Sequence, residues 1–310
     1  MKINKPKFWD VEKSFLSLLF IPFSFLVSFF VLIKRKMVKV KEFEIPIICV
    51  GNIYLGGTGK TPLSIFLANQ LLKKGRNPTI VRKFYKKHFD EHTLIKKKFK
   101  SLIINKDRIF AIKEAEKNGY DLVILDDGFQ DYKVKKNLSI ICFNQLQKVG
   151  NGKVIPSGPL RESLERLVDA QIVVINGKRD SIFEKKILEI NKKLEIYYSN
   201  YFPTNVKDFT NKKLIAFAGI GNPDNFFDLL SENNLNIVKK ITFPDHYKYK
   251  KSEITDLINE AKKNNFHIIT TEKDYYRIEE FDFKEINFLK IEFRLSEKEK
   301  FLKRISNVYD

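Results

Sequence analysis

Apolar positions along this chain fall into two kinds of run. One is an uncharged stretch at residues 15–33, where six of nineteen residues are phenylalanine and only Ser17, Ser24 and Ser28 are polar. The other is a series of short runs at 45–50, 78–81, 122–125, 138–143, 171–175, 214–218, 237–243, 267–271 and 288–291, each of strand length and bounded by polar or glycine residues. Between them lie segments with helical spacing. Leu63, Phe66, Leu67 and Leu71 mark a helix over 61–74, with Pro62 in its first turn and Gly75 as its stop. Further helices are predicted over 107–118, ending at Gly119, from 225 to 230, and over 252–264. Strands alternating with helices at this spacing predict parallel sheets covered on both faces. Residues 83–100 are lysine-rich and poorly periodic, which predicts a mobile loop with a short edge strand. The segment 197–208, with Pro203, is the expected connection between two α/β units.

As one helix, residues 15–33 would rise about 28 Å, close to the thickness of a hydrocarbon core. Lys34, Arg35, Lys36, Lys39 and Lys41 follow immediately, whereas Lys2, Lys5, Lys7 and Lys13 on the other flank are offset by Asp10 and Glu12. That bias places the rest of the chain on the cytoplasmic side. A signal peptide fits poorly, because no small-residue cleavage site follows. A buried core helix stays open. The expectation is a membrane anchor with a kink at Pro22, spanning in preference to lying in the surface.

Composition narrows the field. Across 310 residues, 57 Lys and Arg against 38 Asp and Glu leave a charge of +19, which suits nucleic acid, an anionic membrane surface or a phosphorylated substrate. Cys49 and Cys142 are too few for a disulfide framework or thiolate cluster and read as small core residues.

The strongest local motif is Gly51-Asn-Ile-Tyr-Leu-Gly-Gly-Thr-Gly-Lys-Thr61, lying between a predicted strand and a predicted helix. In that context Gly56, Gly57, Thr58 and Gly59 let backbone N–H groups converge on phosphate oxygens. Lys60 would reach the β- and γ-phosphates, and the Thr61 hydroxyl would face Mg²⁺. The strict phosphate-loop spacing calls for glycine where Tyr54 stands, so an ordinary glycine-rich turn remains an alternative reading. The predicted strand at 122–125 ends in Asp126 and Asp127, the place where nucleotide-binding α/β folds hold Mg²⁺, although a strand-end aspartate can also cap a helix. Together the two motifs indicate nucleoside triphosphate chemistry. An apolar anchor on such an enzyme points to a lipid acceptor, whose anionic headgroup could meet Lys86, Lys87, Lys96, Lys97 and Lys98; these lysines also fit a solvated face.

The glycine motif through Pro62 resembles the signature of the tetraacyldisaccharide 4'-kinases, the lipid A 4'-kinases of Gram-negative bacteria. Further matching stretches are Asp126-Asp-Gly-Phe-Gln130, Gly150-Asn-Gly152, Pro156-Ser-Gly-Pro-Leu-Arg-Glu162, Phe217-Ala-Gly-Ile-Gly-Asn-Pro223, Phe243-Pro-Asp-His246 and Thr270-Thr-Glu-Lys-Asp274. They stand in the family's order over nearly the whole chain, and the missing glycine at Tyr54 is itself a family habit. The resemblance implies an α/β fold of two Rossmann-like, phosphate-loop NTPase-type three-layer domains behind a membrane-associated helix. The expected divisions are 1–36 for the anchor, 37–205 for the ATP-binding domain and 206–310 for a smaller domain closing the cleft. It implies phosphoryl transfer from ATP·Mg²⁺ to the 4'-hydroxyl of tetraacyldisaccharide 1-phosphate at the cytoplasmic face of the inner membrane, by a monomer without nucleic acid.

The implied metal ligands are Thr61, Asp126, Asp127 and Glu162, with Lys60 and Arg161 acting on phosphate charge. Asp90 in Phe89-Asp-Glu-His92 is the nearest match to the family's catalytic Gly-Asp-Glu-Pro, with His246 completing a dyad. Two departures fall nearby. Val81-Arg-Lys-Phe84 replaces the usual Ser-Arg-Gly-Tyr, and Asp131 replaces a histidine. They bear on acceptor handling more than on ATP binding. The competing readings are a membrane-associated NTPase without a lipid acceptor, a non-catalytic homologue, and a nucleic-acid-binding protein; for the last, no helix-turn-helix or aromatic-bearing basic sheet emerges.

Overall fold

The apolar run at 15–33 breaks at Phe20 into α1 (Phe15–Leu19) and α2 (Ile21–Met37), with Pro22 in the first turn of α2, where a missing N–H costs nothing. Its polarity is inverted relative to a core helix. The small polar residues Ser17 and Ser24 are buried, while Phe15, Phe23, Phe25, Phe29, Phe30 and Met37 are exposed. The serines pin the helices to a loop of the body: Ser17 Oγ donates to Ser157 O (2.8 Å) and Ser24 Oγ to Val154 O (2.7 Å). Trp9 Nε1 adds a bond to Pro156 O at 2.9 Å. The single spanning helix expected from sequence is therefore not what forms: among the described residues, no helix is long and apolar enough to cross a membrane. The computed structural model describes residues 6–85, 89–245 and 247–309, and the side chains of residues 89 and 90 lie outside that description.

The body continues through β1 (Ile47–Gly51), α3 (Lys60–Lys73), β2 (Pro78–Lys83), α4 (Phe89–Lys98), β3 (Leu102–Asn105), α5 (Arg108–Lys117) and β4 (Leu122–Asp126). Then come β5 (Leu138–Asn144), β6 (Ile172–Asn176), α6 (Ser181–Ile190) and β7 (Glu195–Pro203). A second unit follows with β8 (Lys213–Ala218), α7 (Pro223–Glu232), β9 (Asn236–Thr242), α8 (Lys251–Asn264), β10 (His267–Thr271), α9 (Glu272–Ile278) and β11 (Ile286–Leu289). The chain closes with β12 (Ile291–Leu295) and α10 (Lys298–Ser306).

Eight strands form one sheet in the order β12-β7-β6-β5-β1-β4-β2-β3, parallel throughout except for antiparallel β12 at its edge. Strand alternation feeds both faces. Ile47 and Cys49 join Val123 and Leu125 beneath α5 and α6, while Ile48 and Val50 join Leu122 and Ile124 beneath α3 and α10. Four parallel strands, β11-β10-β8-β9, make the second sheet, covered by α7 on one face and α8 on the other. The α/β expectation thus holds in both units. Both cysteines are buried and free, and burial pushes the Cys49 thiol up to about 11.

Three sequence expectations change. Within the lysine-rich segment, residues 89–98 form α4 rather than a loop, because α4 buries Ile95 against the α3 face of the sheet and pairs its charges with α9. Residues 197–203 form β7 rather than a connector, since Tyr197 and Ser199 alternate into the interior. The expected unit 206–310 also divides: β12 and α10 return to the large sheet, where Phe301, Leu302 and Ile305 are buried.

Candidate active site

The glycine loop leaves the carboxyl end of β1, at the centre of the large sheet. Gly51 must be glycine, because a Cβ there would lie 2.5 Å from Phe129 Cβ. Asn52 Nδ2 holds the loop shut through Tyr54 O (2.6 Å) and Gly56 O (3.3 Å). Gln130 Nε2 donates to Asn52 O (2.9 Å), and Leu55 N to Pro159 O (2.8 Å). Tyr54, the departure from strict spacing, packs its ring into the core and leaves the cradle to the residues after it. Gly59 enters α3 with φ 91°, a conformation open to glycine, so Lys60 and Thr61 begin the helix. The Thr58 hydroxyl is buried beside them without a hydrogen-bond partner.

Asp126 ends β4 fully buried. It accepts from Thr61 Oγ1 (3.0 Å), Ser64 Oγ (3.0 Å) and Arg82 Nη1 (2.8 Å). Burial pushes its carboxyl up, against the pull of the Arg82 charge. Arg82 itself is buried, a cost outweighed by Asp126 and Glu91, which together raise its pKa. Asp127 follows with φ 55°, its N–H on Val50 O at 2.9 Å. Arg108 Nη2 braces that turn through Asp127 O at 2.7 Å, while Arg108 Nη1 meets Asp131, the histidine substitute, at 3.2 Å. The turn aims the Asp127 carboxylate at Lys60 Nζ (3.6 Å) and Arg161 Nη1 (3.0 Å). Although burial opposes ionisation, these cations hold the Asp127 carboxyl well below the usual carboxylate range.

Lys60, Thr61, Asp126, Asp127 and Arg161 are therefore brought together, with Asp126 sealed beneath and Asp127 facing Lys60 and Arg161. Glu162 is tied on one side: its Oε2 accepts from Tyr132 OH (2.5 Å) and Arg166 Nε (3.1 Å), while its Oε1 is buried without a hydrogen-bond partner among the described residues. His246, Lys86, Lys87 and the Asp90 side chain lie outside the described residues. Among the described residues no cluster of three His, Cys, Asp or Glu side chains could hold a metal by itself. That suits Mg²⁺ bound with a nucleotide, which takes few protein ligands besides phosphate oxygens. The Thr61 hydroxyl oxygen and the Asp127 carboxylate supply hard donors next to the glycine loop.

Sequence reasoning gave no role to several residues that the structure brings in. Arg82 and Ser64 complete the shell of Asp126; a charged residue at the end of an otherwise apolar strand was the available signal. In the second unit, Asp274 receives Gly219 N (2.9 Å), Thr271 Oγ1 (2.7 Å) and Tyr249 OH (2.9 Å), and Arg277 Nη1 donates to Gly219 O (2.6 Å). The 271–274 motif thereby shapes the 219–222 turn. That turn lies against the glycine loop, since a Cβ at Gly221 would sit 3.3 Å from Gly57 N.

A family model described as tetraacyldisaccharide-1-P 4'-kinase matches residues 16–310. The chain belongs to this family. Its relatives include the tetraacyldisaccharide 4'-kinase of Pelagibacter ubique, 42% identical over 96% of this chain and 95% of that protein. The protein of the same name from Bartonella quintana is 30% identical over 90% of this chain and 86% of its own length. In fold, the chain is similar to LpxK from Aquifex aeolicus, whose crystal structure was determined in complex with ATP. The TM-score is 0.73 at 23% identity, covering 95% of this chain and all of that one.

Proposed function

We propose that this chain transfers the γ-phosphoryl group of ATP to the 4'-hydroxyl of a tetraacyldisaccharide 1-phosphate, a step of lipid A assembly. The observation that carries the reading is the convergence of Lys60 and Arg161 on Asp127 beside the glycine loop, in a chain of this family. The loop N–H groups and the start of α3 receive the phosphates, and Lys60 and Arg161 oppose the charge that spreads over the transferring group. Thr61 and Asp127 would hold Mg²⁺ together with the nucleotide, and the ion would neutralise phosphate charge there. Asp90, at the start of α4, accepts the 4'-hydroxyl proton as the new P–O bond forms and the bond to ADP breaks; His246 supports it from the second unit. Arg161 acts on phosphate charge, while Glu162 keeps its loop in place.

Phosphoryl transfer from γ-labelled ATP to tetraacyldisaccharide 1-phosphate in detergent micelles tests this directly. Wild type should label the lipid, and Lys60→Ala should lower kcat about a hundredfold. ATP hydrolysis without labelled lipid would favour the NTPase reading, and absence of both ATP binding and turnover would favour a non-catalytic homologue.

We read the outward apolar face of α1 and α2 as a membrane contact lying in the plane of the cytoplasmic surface of the inner membrane. The exposed phenylalanines enter the acyl boundary and Lys34, Arg35 and Lys36 meet anionic headgroups. Such a placement delivers a lipid acceptor to a monomeric enzyme without spanning. In flotation with phosphatidylglycerol-containing vesicles, wild type should rise with the lipid. The double variant Phe25→Glu with Phe29→Glu should stay at the bottom of the gradient while keeping its melting temperature, and flotation of both would reject this contact.

A further inference from the structure

We infer that Lys273 is a positioning residue for phosphoryl transfer, acting as the ionic bridge that sets the loop of one unit against that of the other. The inference rests on the phosphoryl-transfer reading above and concerns how its two flanking segments are brought together. Lys273 lies in the first turn of α9, in the second unit. Its Nζ stands 3.2 Å from Glu91 Oε1 on α4 of the first unit and 3.9 Å from Asp245 Oδ1 in its own unit. Glu91 is the neighbour of Asp90 in the chain, and Asp245 the neighbour of His246. One ammonium group thus holds the residues next to both members of the proposed dyad.

The surroundings make this more than a surface pair. Lys273 and Glu91 side chains are each only 18% exposed, so their interaction is partly shielded from solvent. The other Glu91 oxygen is bound by Arg82, which also binds Asp126 beneath the glycine loop. A continuous chain of charges, Asp126–Arg82–Glu91–Lys273–Asp245, therefore runs from the buried aspartate at the end of β4 to the second unit. Two further ion pairs join α4 to the second unit, Lys98 with Glu272 of α9 (2.5 Å) and Lys97 with Glu279 just after α9 (3.0 Å). The Lys97–Glu279 pair is the more exposed of the two and adds less. On the other side, Arg277 Nη2 lies 3.9 Å from Asp245 Oδ1, so Asp245 is approached by two cations of α9. The bridge fixes where α4 starts relative to the 243–245 segment, and this is the distance a proton-accepting dyad split between two units must control.

The test compares wild type, Lys273→Met and Lys273→Arg, each first checked by thermal melting. Lys273→Met should lower kcat about thirtyfold with KM for ATP within twofold, because the glycine loop is untouched; Lys273→Arg, which keeps the charge and reach, should recover kcat to within fivefold. A kcat for Lys273→Met within twofold of wild type would overturn the inference. A matching rise in KM for ATP would also overturn it, since the lysine would then be a nucleotide ligand. Hydrogen exchange gives a readout that needs no acceptor: amides of 91–98 should exchange about tenfold faster in Lys273→Met and at the wild-type rate in Lys273→Arg. Unchanged exchange would remove the bridge whatever the acceptor is. Failure of wild type to label the lipid would instead strike the proposed function and leave the exchange test to decide the bridge.

Discussion

Asp127→Asn is expected to lower kcat for lipid phosphorylation on the order of a thousandfold, about 4 kcal/mol of transition-state stabilisation. The amide keeps the side chain's shape but removes the charge that Lys60 and Arg161 both face at 3.6 and 3.0 Å. It also removes a hard anionic donor from the place where Mg²⁺ would sit. Binding should move the other way. With one negative charge gone from a cationic pocket, ATP alone should bind as well as before or better, while the magnesium concentration for half-maximal rate rises. Steady-state kinetics across a magnesium titration check both, and a kcat within tenfold of wild type would exclude the assigned role. The same carboxyl gives a folding signature in the nucleotide-free enzyme. Its pKa is depressed in the folded state. Its stabilisation is therefore full above the ordinary carboxylate value near 4 and is lost only as pH falls through the depressed one.

Arg82→Met is expected to be the most damaging single change to stability, about 3–5 kcal/mol, because it strips the cation from a carboxylate with no access to solvent. Thr61 and Ser64 would still donate to Asp126, but neither carries charge. The deficit should depend on pH with a defined sign. Burial already raises the Asp126 pKa in the folded protein, and loss of Arg82 raises it further. The variant should thus be least stable, relative to wild type, at neutral pH, and should recover as acid protonates Asp126. Denaturant titrations at neutral pH and near pH 5 measure this. Adding Asp126→Asn to Arg82→Met should restore much of the stability at neutral pH without restoring activity. A pH-independent deficit would show that Arg82 acts through packing alone.

The centre of the large sheet was legible because β1, β4, β5 and β6 are buried on both faces and so read as unbroken apolar runs. Asp107 was legible as a helix start, and its side chain accepts from Ile109 N as the cap of α5. What escaped were elements whose stability comes from distant partners. α4 carries three lysines in its last turn and no apolar stripe of its own, and its charges find Glu272 and Glu279, far along the chain. The late strand expected at 288–291 falls mainly on β11, whereas β12, just after it, pairs with β7 at the edge of the other sheet, a partner that nothing local announces. At the site, the glycine loop and paired aspartates announced themselves by spacing. The different fates of Asp126 and Asp127, one sealed among Arg82, Thr61 and Ser64 and the other turned toward Lys60, depend on a left-handed residue that sequence does not mark. The partners of Glu162 were hidden for a related reason, since only the fold brings Tyr132 and Arg166 to it.

The return of the chain to the large sheet has a geometric consequence. β7 and β12 are antiparallel neighbours in which Pro203 faces Ile291. The two crossings between the units are also bonded side by side, Thr204 N to Lys290 O at 2.9 Å and Lys290 N to Asn205 Oδ1 at 2.8 Å. Topologically, the entire second unit is the loop of a β-hairpin on the edge of the first. Its tether is therefore a two-stranded ribbon, which bends more readily across its flat face than within its plane. Such a mounting joins the second unit to the first by two hydrogen-bonded strands at once, with the 219–222 turn seated against the glycine loop.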